Sequence, residues 1–436
     1  MKNCLPSKPT GNNPSTGVAG IVDHLFRRES GRLVAILIRR LGAENLHLAE
    51  DVVQDALVKA MQTWPFTGVP VNPTAWILQT ARNRAFDQTR RNTIWRGKKK
   101  TLLPLVEDCL ESALRTRPPQ FEDEIQDSQL RMMFVCCHPR LPVEAQVALT
   151  LKVLCGFGER EIAAAFLATE PAIAKRLTRA RQFLRDEHVT VDLPPAGELT
   201  ARISGVQQAL YLLFNEGYKA SHGPALLREE LCAEAIRLGE LLVAQLGTDG
   251  APTHALLALM YFGMARLPAR VDAAGDILTL PEQDRGRWDR KKIQRGVVHL
   301  AASGGGVVVS RYHLEAGIAA CHTLAASDRE TNWREILGFY DELLARDSSP
   351  IVALNRAVAL ARISGPVAGL RAVETMVGRA TLEHYHLLHA VLGQFWLDAG
   401  EHAKAAAAFR QASELAILAA ERDLLCRRAA EAMRGV

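Results

Sequence analysis

The sequence lacks the motifs from which an enzyme is most directly inferred. It has no GxSxG, no Walker loop, no HExxH and no GxGxxG that could open a βαβ unit. Neither a nucleophile with its base nor a phosphate-binding loop can therefore be assigned. The histidines of the second half are scattered and are interpreted as core or surface residues: His254, His299, His313, His322, His384, His386 and His389. We expect no enzymatic activity and no cofactor.

Paired cysteines are also lacking, because the eight cysteines include no CxxC. This pattern matches neither a disulfide framework nor a common zinc site. The run Cys136-Cys137-His138 could in principle ligate a metal, but adjacent cysteines suit tetrahedral coordination poorly and no second ligand pair is evident. We expect reduced core thiols and no metal site.

The chain has no apolar run of about 18 residues, the length that a membrane-spanning helix requires. Residues 1–20 are polar, rich in Pro, Gly, Asn and Ser, and lack the apolar core of a secretory signal. These absences predict a soluble cytoplasmic protein without a membrane partner, which begins with a disordered tail over residues 1–20.

Period-two alternation, the pattern of a half-buried strand, is absent over useful lengths, whereas apolar residues recur at spacings of three and four. The fold class is therefore predicted to be all-α. At 436 residues the chain exceeds the size that one hydrophobic core usually reaches, so we expect two or three domains. Composition changes and Pro-Pro breaks predict modules at 21–95 and 128–190, a linker at 96–127 and a C-terminal region at 201–436.

The net charge of +5 lies entirely in the first 200 residues, which hold 27 Lys and Arg against 22 Asp and Glu, while residues 201–436 hold 26 of each. Within the first part, residues 82–100 carry eight basic residues and one acid, and residues 171–185 carry five basic residues and no acid. Clustered cations indicate binding to phosphate backbones, although a charge run alone is more often a solvated face.

The first module contains two predicted helices. Residues 46–64 carry an amphipathic apolar stripe opposite a face with Glu50, Asp51, Gln54 and Asp55. Prolines at 65, 70 and 73 indicate a loop, and residues 74–91 form the second helix. Its side chains combine possible base-stacking rings with polar and cationic groups: Trp76, Arg82, Asn83, Arg84, Phe86, Arg90 and Arg91. This combination is typical of single-stranded DNA binding, although Trp76 and Phe86 could equally be core residues.

In this order, AEDVVQDALVKAMQTWP and NPTAWILQTARNRAFDQTRR closely resemble the second conserved region of extracytoplasmic-function sigma factors. The resemblance implies that Glu50, Asp51, Gln54 and Asp55 dock on the clamp coiled coil of RNA polymerase. It also implies that the second helix melts and reads the promoter element nearest the start site. The residues implied in that contact are Trp76, Arg82, Asn83 and Asp87, with Arg90 and Arg91 on phosphates.

The second module, residues 141–186, contains a helix, the break Gly156-Phe157-Gly158, a short helix from Glu159 and a final helix for which Thr169 is a suitable N-cap. In the final helix the apolar stripe is Ile173, Leu177, Ala180 and Leu184, whereas Ala172, Lys175, Arg176 and Arg179 fall on another face. This order predicts a helix-turn-helix whose second helix enters the major groove, with a generic helical hairpin as the alternative.

The segments EREIAAAF and RLTRARQFLRD are similar to the fourth conserved region of the same sigma factors. The resemblance implies that the final helix, from Thr169 and Ala172 onward, binds the upstream promoter element. We expect Lys175 and Arg176 to read its bases, and Arg179 and Arg181 to contact phosphates. The partners implied are core RNA polymerase and promoter DNA.

The neutral region 201–436 requires its own explanation. Small and aromatic positions match one 34-residue tetratricopeptide repeat over residues 386–419, and residues 349–370 offer a weaker second unit. Asn215, Glu216 and Tyr218 could form a polar cluster buried against the DNA-binding half, or a capped helix end. The chain after residue 20 resembles the subgroup of extracytoplasmic-function sigma factors with a tetratricopeptide-type extension. That resemblance implies that the extension controls sigma activity, with an unknown protein as one possible partner.

A different class of protein remains as an alternative. A transcriptional regulator could bind duplex DNA through the helix-turn-helix and sense a ligand or peptide in its helical repeats. Such a regulator would bind an operator without polymerase, and it would not require the segment 50–91.

Overall fold

The computed structural model describes residues 14–95, 121–166, 168–192, 196–219, 227–246, 250–272, 276–305 and 308–434. Within these ranges the secondary structure is helical and contains no strand, with one isolated antiparallel bridge between Val271 and Ile277. The predicted all-α fold is therefore confirmed. The chain forms two compact units, residues 1–213 and 214–436.

The first unit contains seven described helices and most of an eighth. They are α1 (Pro14–Leu41), α2 (Leu46–Thr67), α3 (Pro73–Trp95), α4 (Phe121–Cys136), α5 (Val143–Val153), α6 (Glu159–Ala165), α7 (Glu170–Asp186) and α8 (Ala196–Tyr218). Helix α1 begins inside the segment for which we predicted a tail. The predicted linker lies outside the described residues as far as residue 120.

Helix α2 differs from the prediction at its end. The loop was predicted to begin at Pro65, but the helix continues through Pro65 to Thr67 and ends at Gly68, whose φ is 82°. A proline in the last turn removes one backbone donor, and the amide of Gly68 still bonds the Trp64 carbonyl at 3.0 Å. The following helix begins where Asn72 Oδ1 accepts a hydrogen bond from the Ala75 amide at 3.0 Å.

The helix-turn-helix is confirmed as α6 and α7. Gly156, with φ of 67°, provides the break before α6, and the Glu161 carboxylate accepts a hydrogen bond from the Gly158 amide at 2.8 Å. Thr169 occupies the N-cap position of α7 with extended backbone angles, but its side chain makes no capping hydrogen bond. The apolar stripe of α7 is buried as predicted.

The second unit continues from the end of α8 through ten further helices. They are α9 (Glu229–Leu246), α10 (Ala251–Arg266), α11 (Arg290–Ser303), α12 (Arg311–Leu324), α13 (Trp333–Arg346), α14 (Pro350–Ser364), α15 (Pro366–Thr375), α16 (His386–Asp398), α17 (His402–Leu415) and α18 (Ala419–Arg434). In the described part of the chain, no helix combines the length and the apolar character needed to cross a bilayer.

Helical hairpins form the end of this unit. Gly365 separates α14 from α15 and Gly400 separates α16 from α17, both with positive φ that favours glycine. Gly393 permits close packing of α16 on α17, because a Cβ there would lie 2.8 Å from Phe409 Cδ1. The segment 386–419, matched to one repeat from sequence, thus folds as a helical hairpin.

Candidate functional site

The outer face of α2 presents the acidic residues that the sequence analysis singled out. Asp51, Gln54 and Asp55 are exposed, whereas the Glu50 side chain is only 18% exposed. Two of the exposed carboxylates already have partners: His47 Nδ1 lies 2.9 Å from Asp51 Oδ2, and Arg84 donates to Asp55. Asp55 is thereby tied to α3.

Helix α3 divides its predicted DNA-binding residues between core and surface. Trp76 is half-buried and packs edge-on against buried Trp64, with ring centroids 5.4 Å apart. Asn83 and Asp87 are exposed one turn apart, and Gln79 Nε2 donates to Asn83 Oδ1 at 3.1 Å. Arg82 is half-buried, and the side chains of Arg90 and Arg91 lie outside the described residues. Gln79 was missed from sequence, although its spacing of four from Asn83 places it on the same face.

Helix α7 separates its cations in the same way. Its side chains Ile173, Leu177, Ala180 and Leu184 are buried. Ala172, Lys175 and Arg179 are exposed on the opposite face, with Thr169 exposed at the start of the helix. Gln182 lies on this exposed face as well and was missed from sequence, although it follows Lys175 by seven residues.

Two of the predicted DNA-binding arginines of α7 are engaged within the protein. Arg176 is half-buried, with its guanidinium carbon 5.3 Å from the centre of the Phe166 ring. The Nη2 of Arg181 lies 3.1 Å from Oε1 and 2.9 Å from Oε2 of Glu50, and each side chain is 18% exposed. A residue predicted to bind polymerase and a residue predicted to bind DNA therefore pair with each other.

Comparisons with known proteins assign both modules. A family model described as sigma-70 region 2 matches residues 25–94, and one described as sigma-70, region 4 matches residues 131–184. This chain belongs to the sigma-70 family. As a sigma factor it binds core RNA polymerase and promoter DNA, and it takes part in promoter recognition and transcription initiation.

The other comparisons of the sigma factor are less informative. A family of unknown function, DUF6596, matches residues 202–304. An uncharacterized protein of Rhizobium meliloti (strain 1021) is 36% identical over 382 residues, which cover 86% of this chain and 88% of the relative. No solved structure matches the chain.

The polar residues at the end of α8 in the sigma factor have partners in the second unit. Glu216 is buried and lies 3.7 Å from Arg228 Nη1, whereas Asn215 is exposed. The Arg270 guanidinium stacks 4.0 Å from the centre of the Tyr218 ring and donates to the Tyr218 carbonyl. An arginine on the last carbonyl of a helix caps it, so Tyr218 lies at a capped helix end.

The second unit also brings together five polar residues that sequence reasoning did not group. His254 Nδ1 lies 2.9 Å from His299 Nδ1, and Glu240 Oε1 lies 3.1 Å from His299 Nε2. Tyr261 and Arg295 donate to the same Glu240 oxygen at 2.8 and 2.6 Å. The hydrogen bond from His299, with those from Tyr261 and Arg295, lowers the pKa of Glu240 to about 2 against the opposing effect of burial. The five residues come from α9, α10 and α11, and their spacing in the sequence does not indicate that they meet in the fold.

The cysteines named in the sequence analysis lie in the core of the first unit. Cys136 and Cys137 are fully buried, and Cys137 Sγ lies 3.5 Å from Thr150 Oγ1. Burial raises the pKa of the Cys137 thiol to about 12, so it stays protonated at neutral pH. Among the described residues, no three Cys, His, Asp or Glu side chains are grouped as metal ligands.

A cavity of about 280 Å³ opens between α14, α16, α17 and α18. Its wall is mainly apolar, with Val391, Phe395, Phe409 and Leu425 among the lining residues. Glu421 lies at its edge with Lys219 Nζ at 2.6 Å and His386 Nε2 at 3.4 Å. Burial alone would raise the pKa of Glu421, but the hydrogen bonds from His386 and Lys219 outweigh it and lower the pKa to about 2.

Proposed function

We propose that this protein is an alternative sigma factor of the extracytoplasmic-function type, and that its C-terminal helical extension regulates its activity. The observation that carries the proposal is the exposed face of α7, where Lys175 and Arg179 project opposite a fully buried stripe. A short helix, a turn and such a helix suit the major groove. Its action belongs in the cytoplasm, where core polymerase and promoter DNA are found.

For the upstream element we propose that Lys175 contacts base edges and that Arg179 contacts phosphate. Ala172 and Thr169 are exposed at the same end of α7, where the backbone of the helix approaches the groove. Arg176 and Arg181 can join this contact only after leaving Phe166 and Glu50. We therefore assign them a conditional role in DNA binding.

For the proximal element we propose that Asn83 and Asp87 read an unstacked base, with Arg82, Arg90 and Arg91 supplying positive charge. Trp76 supports this surface by packing against the buried Trp64 ring. Extruding a base costs a few kcal/mol, which stacking and charge must offset. Melting then needs binding energy and no covalent chemistry, consistent with a protein that is not an enzyme.

For polymerase we propose the α2 face with Asp51, Gln54, Asp55 and Glu50. Three of these side chains, Asp51, Gln54 and Asp55, are exposed within little more than one turn, next to exposed Val58 and Met61. An acidic face with apolar side chains beside it suits a protein partner that carries complementary charge.

For the extension we propose a tetratricopeptide-like stack, formed by the hairpins α14–α15 and α16–α17, that receives the regulatory signal. The apolar cavity beside Phe409 offers a ligand or a partner side chain a place to bind. Of Asn215, Glu216 and Tyr218 at the end of α8, only Asn215 is exposed, and we retain it as a candidate regulatory contact. Glu216 and Tyr218 would act by holding the end of α8 in place through Arg228 and Arg270.

The test is whether the purified chain elutes with core RNA polymerase and allows it to start transcripts at promoters of the host genome. Specific run-off transcripts that depend on the chain would support the proposal. Duplex DNA binding without polymerase binding would instead support the alternative, a helix-turn-helix regulator that senses a ligand or peptide in the C-terminal helices.

A further inference from the structure

The apolar cavity of the second unit has the size of a small organic molecule. Its volume is about 280 Å³, and helices α14, α16, α17 and α18 supply most of its lining. An apolar protein cavity of about 150 Å³ is large enough to bind benzene, so this one can hold about ten non-hydrogen atoms. It therefore suits a bicyclic ring or an alkyl chain of similar size, and it is too small for a peptide segment or a nucleotide.

The lining of the cavity determines the character of most of the ligand. Val358, Val391, Phe395, Leu424 and Leu425 contribute to it from three helices. Transfer of an apolar group from water onto such side chains is favourable, whereas a polar group would lose its hydration without compensation. The body of the ligand is therefore apolar.

The two charged side chains of the lining already have partners. Glu421 Oε1 lies 2.6 Å from Lys219 Nζ. Arg428 donates to the Gln394 side chain and lies 3.7 Å from Glu431 Oε2. An ionic ligand would therefore enter an apolar cavity without an unpaired counter-charge to receive it, and the loss of its hydration would oppose binding. The ligand is therefore uncharged.

One polar position of the lining is incompletely used. The His386 side chain is 12% exposed, and its Nε2 lies 3.4 Å from Glu421 Oε2, a distance at which a hydrogen bond is long and weak. This buried nitrogen has no well-aligned partner among the described residues. A hydroxyl group both donates and accepts, so it can accept from His386 Nε2–H and donate to the Glu421 carboxylate. The two side chains thus select one hydroxyl on the apolar body.

We propose that the cavity between α16 and α18 binds an uncharged small molecule with an apolar body and one hydroxyl group. Only the further step, that this molecule is a regulatory signal, rests on the proposed function of the extension. Lys219 directly follows α8, the helix that runs from the first unit into the second. Glu421 therefore contacts the ligand and also holds the end of α8 through Lys219, so occupation of the cavity fixes α18 and the end of α8 together.

The test measures binding of 2-naphthol to the purified full chain by isothermal titration calorimetry. 2-Naphthol has a bicyclic apolar body, one hydroxyl and no charge at neutral pH, and we expect a dissociation constant on the order of 10–100 µM. Naphthalene should bind about 3- to 10-fold more weakly, because the hydrogen bonds of the hydroxyl are lost. 2-Naphthoate carries a negative charge and should not bind measurably.

Two substitutions fill the cavity from different helices: Ala390→Phe on α16 and Val358→Phe on α14. Each should weaken binding of 2-naphthol by at least about 10-fold, since the added ring takes the place of the ligand. His386→Leu should remove the preference for 2-naphthol over naphthalene. The matched control is Ala407→Phe on the exposed face of α17, which should leave binding unchanged. Far-ultraviolet circular dichroism and the unfolding midpoint confirm that each variant is folded.

The link to α8 has a separate measurement. With 2-naphthol at about ten times its dissociation constant, amide hydrogen exchange of α18 and of residues 214–219 should slow by about 10-fold. Binding without slower exchange at residues 214–219 would overturn the link between the cavity and α8.

The outcomes separate the ligand site from the proposed function. No binding of 2-naphthol to the full chain, or undiminished binding by both folded filled variants, would overturn the site and leave the cavity to a side chain of a partner protein. Equal binding of 2-naphthoate would overturn the uncharged class of ligand. Loss of run-off transcription is a different result, which concerns the proposed function, because binding is measured without polymerase or DNA.

Discussion

Lys175 and Arg176 are neighbours in sequence but lie in different environments. One residue corresponds to about 100° around a helix, so the register of the buried stripe decides which of the two faces outward. Lys175 is exposed, whereas Arg176 is half-buried over Phe166. The residue types in the sequence identified a basic helix. Lys175 and Arg176 were both assigned to base contacts, because the sequence does not show that the Phe166 ring lies next to Arg176 across the turn.

Replacement of the two side chains should therefore have different effects. Lys175→Ala should lower promoter-specific initiation by about 5- to 150-fold, which corresponds to about 1–3 kcal/mol for a lost base contact. Arg176→Ala should lower the free energy of unfolding by about 0.5–1 kcal/mol, because it removes a cation–π contact. Run-off transcription and chemical denaturation measure the two effects. The exposed Arg334 of the second unit provides the control Arg334→Ala. Equal loss of initiation in both variants with unchanged stability would assign a base contact to Arg176 as well.

His322 is a half-buried titratable group with a clear pH consequence. Burial, followed by the nearby Arg266, Arg285 and Arg362, lowers its pKa from 6.5 to about 4. The folded protein therefore holds the neutral ring, whereas the unfolded chain takes up a proton below pH 6.5. Its stabilising contribution is fully present above pH 6.5 and is lost as pH falls toward 4.

The expected loss from His322 over this range is about 3 kcal/mol of unfolding free energy, because one pKa unit corresponds to about 1.4 kcal/mol. His322→Gln cannot titrate, so its unfolding free energy should depend less steeply on pH between 6.5 and 4. Denaturant titrations at four pH values measure this slope. His384 is exposed, and His384→Gln should leave the slope of the original protein unchanged. Parallel curves for the original protein and His322→Gln would contradict the assignment.

At the scale of elements, helical periodicity predicted that a helix exists better than it predicted where the helix ends or which other helices it packs against. The apolar stripe of α7 and the break before α6 were predicted from the sequence alone because both depend on residues close in the chain. The predicted end of α2 was wrong, because the helix continues past Pro65 despite the backbone hydrogen bond that a proline removes, and it ends at Gly68 instead. The pairing of His254 with His299 could not be predicted, since it depends on how α10 and α11 pack.

Glycines inside helices give a direct test of helix packing. Gly393 of α16 lies against Phe409, so Gly393→Ala should lower the free energy of unfolding by about 1–3 kcal/mol through overpacking. This effect should exceed the gain of about 1 kcal/mol that alanine gives over glycine in a helix. Gly338 of α13 has no atom within 4 Å of an added Cβ, so Gly338→Ala should instead stabilise. Differential scanning calorimetry measures both. Stabilisation by both substitutions would show that α16 and α17 are less closely packed than described.

At the scale of the whole molecule, the boundary between the units falls inside α8. The sequence predicted a division near residues 190–201 from a Pro-Pro break, but α8 packs on the first unit beyond that point. Arg202 Nη1 donates to the Phe134 carbonyl at 3.0 Å, and Gly205 leaves room for the Gln146 side chain, whose Oε1 would lie 2.2 Å from an added Cβ. A break in composition marks a turn in the chain, but it does not reveal whether the next helix packs on the preceding or on the following unit.

Two truncations separate the structural role of α8 from the regulatory role of the extension. A chain ending at Leu213 retains the contacts of Arg202 and Gly205, whereas a chain ending at Thr200 exposes the surface around Cys137 and Gln146. The shorter chain should therefore unfold at a lower denaturant concentration, since a buried hydrogen bond and apolar contacts are lost. If the extension is regulatory, the chain ending at Leu213 should differ from the full chain in run-off transcription at equal concentration. Equal transcription by these two chains, with both folded, would contradict the regulatory role, and equal stability of the two truncated chains would contradict the role assigned to α8.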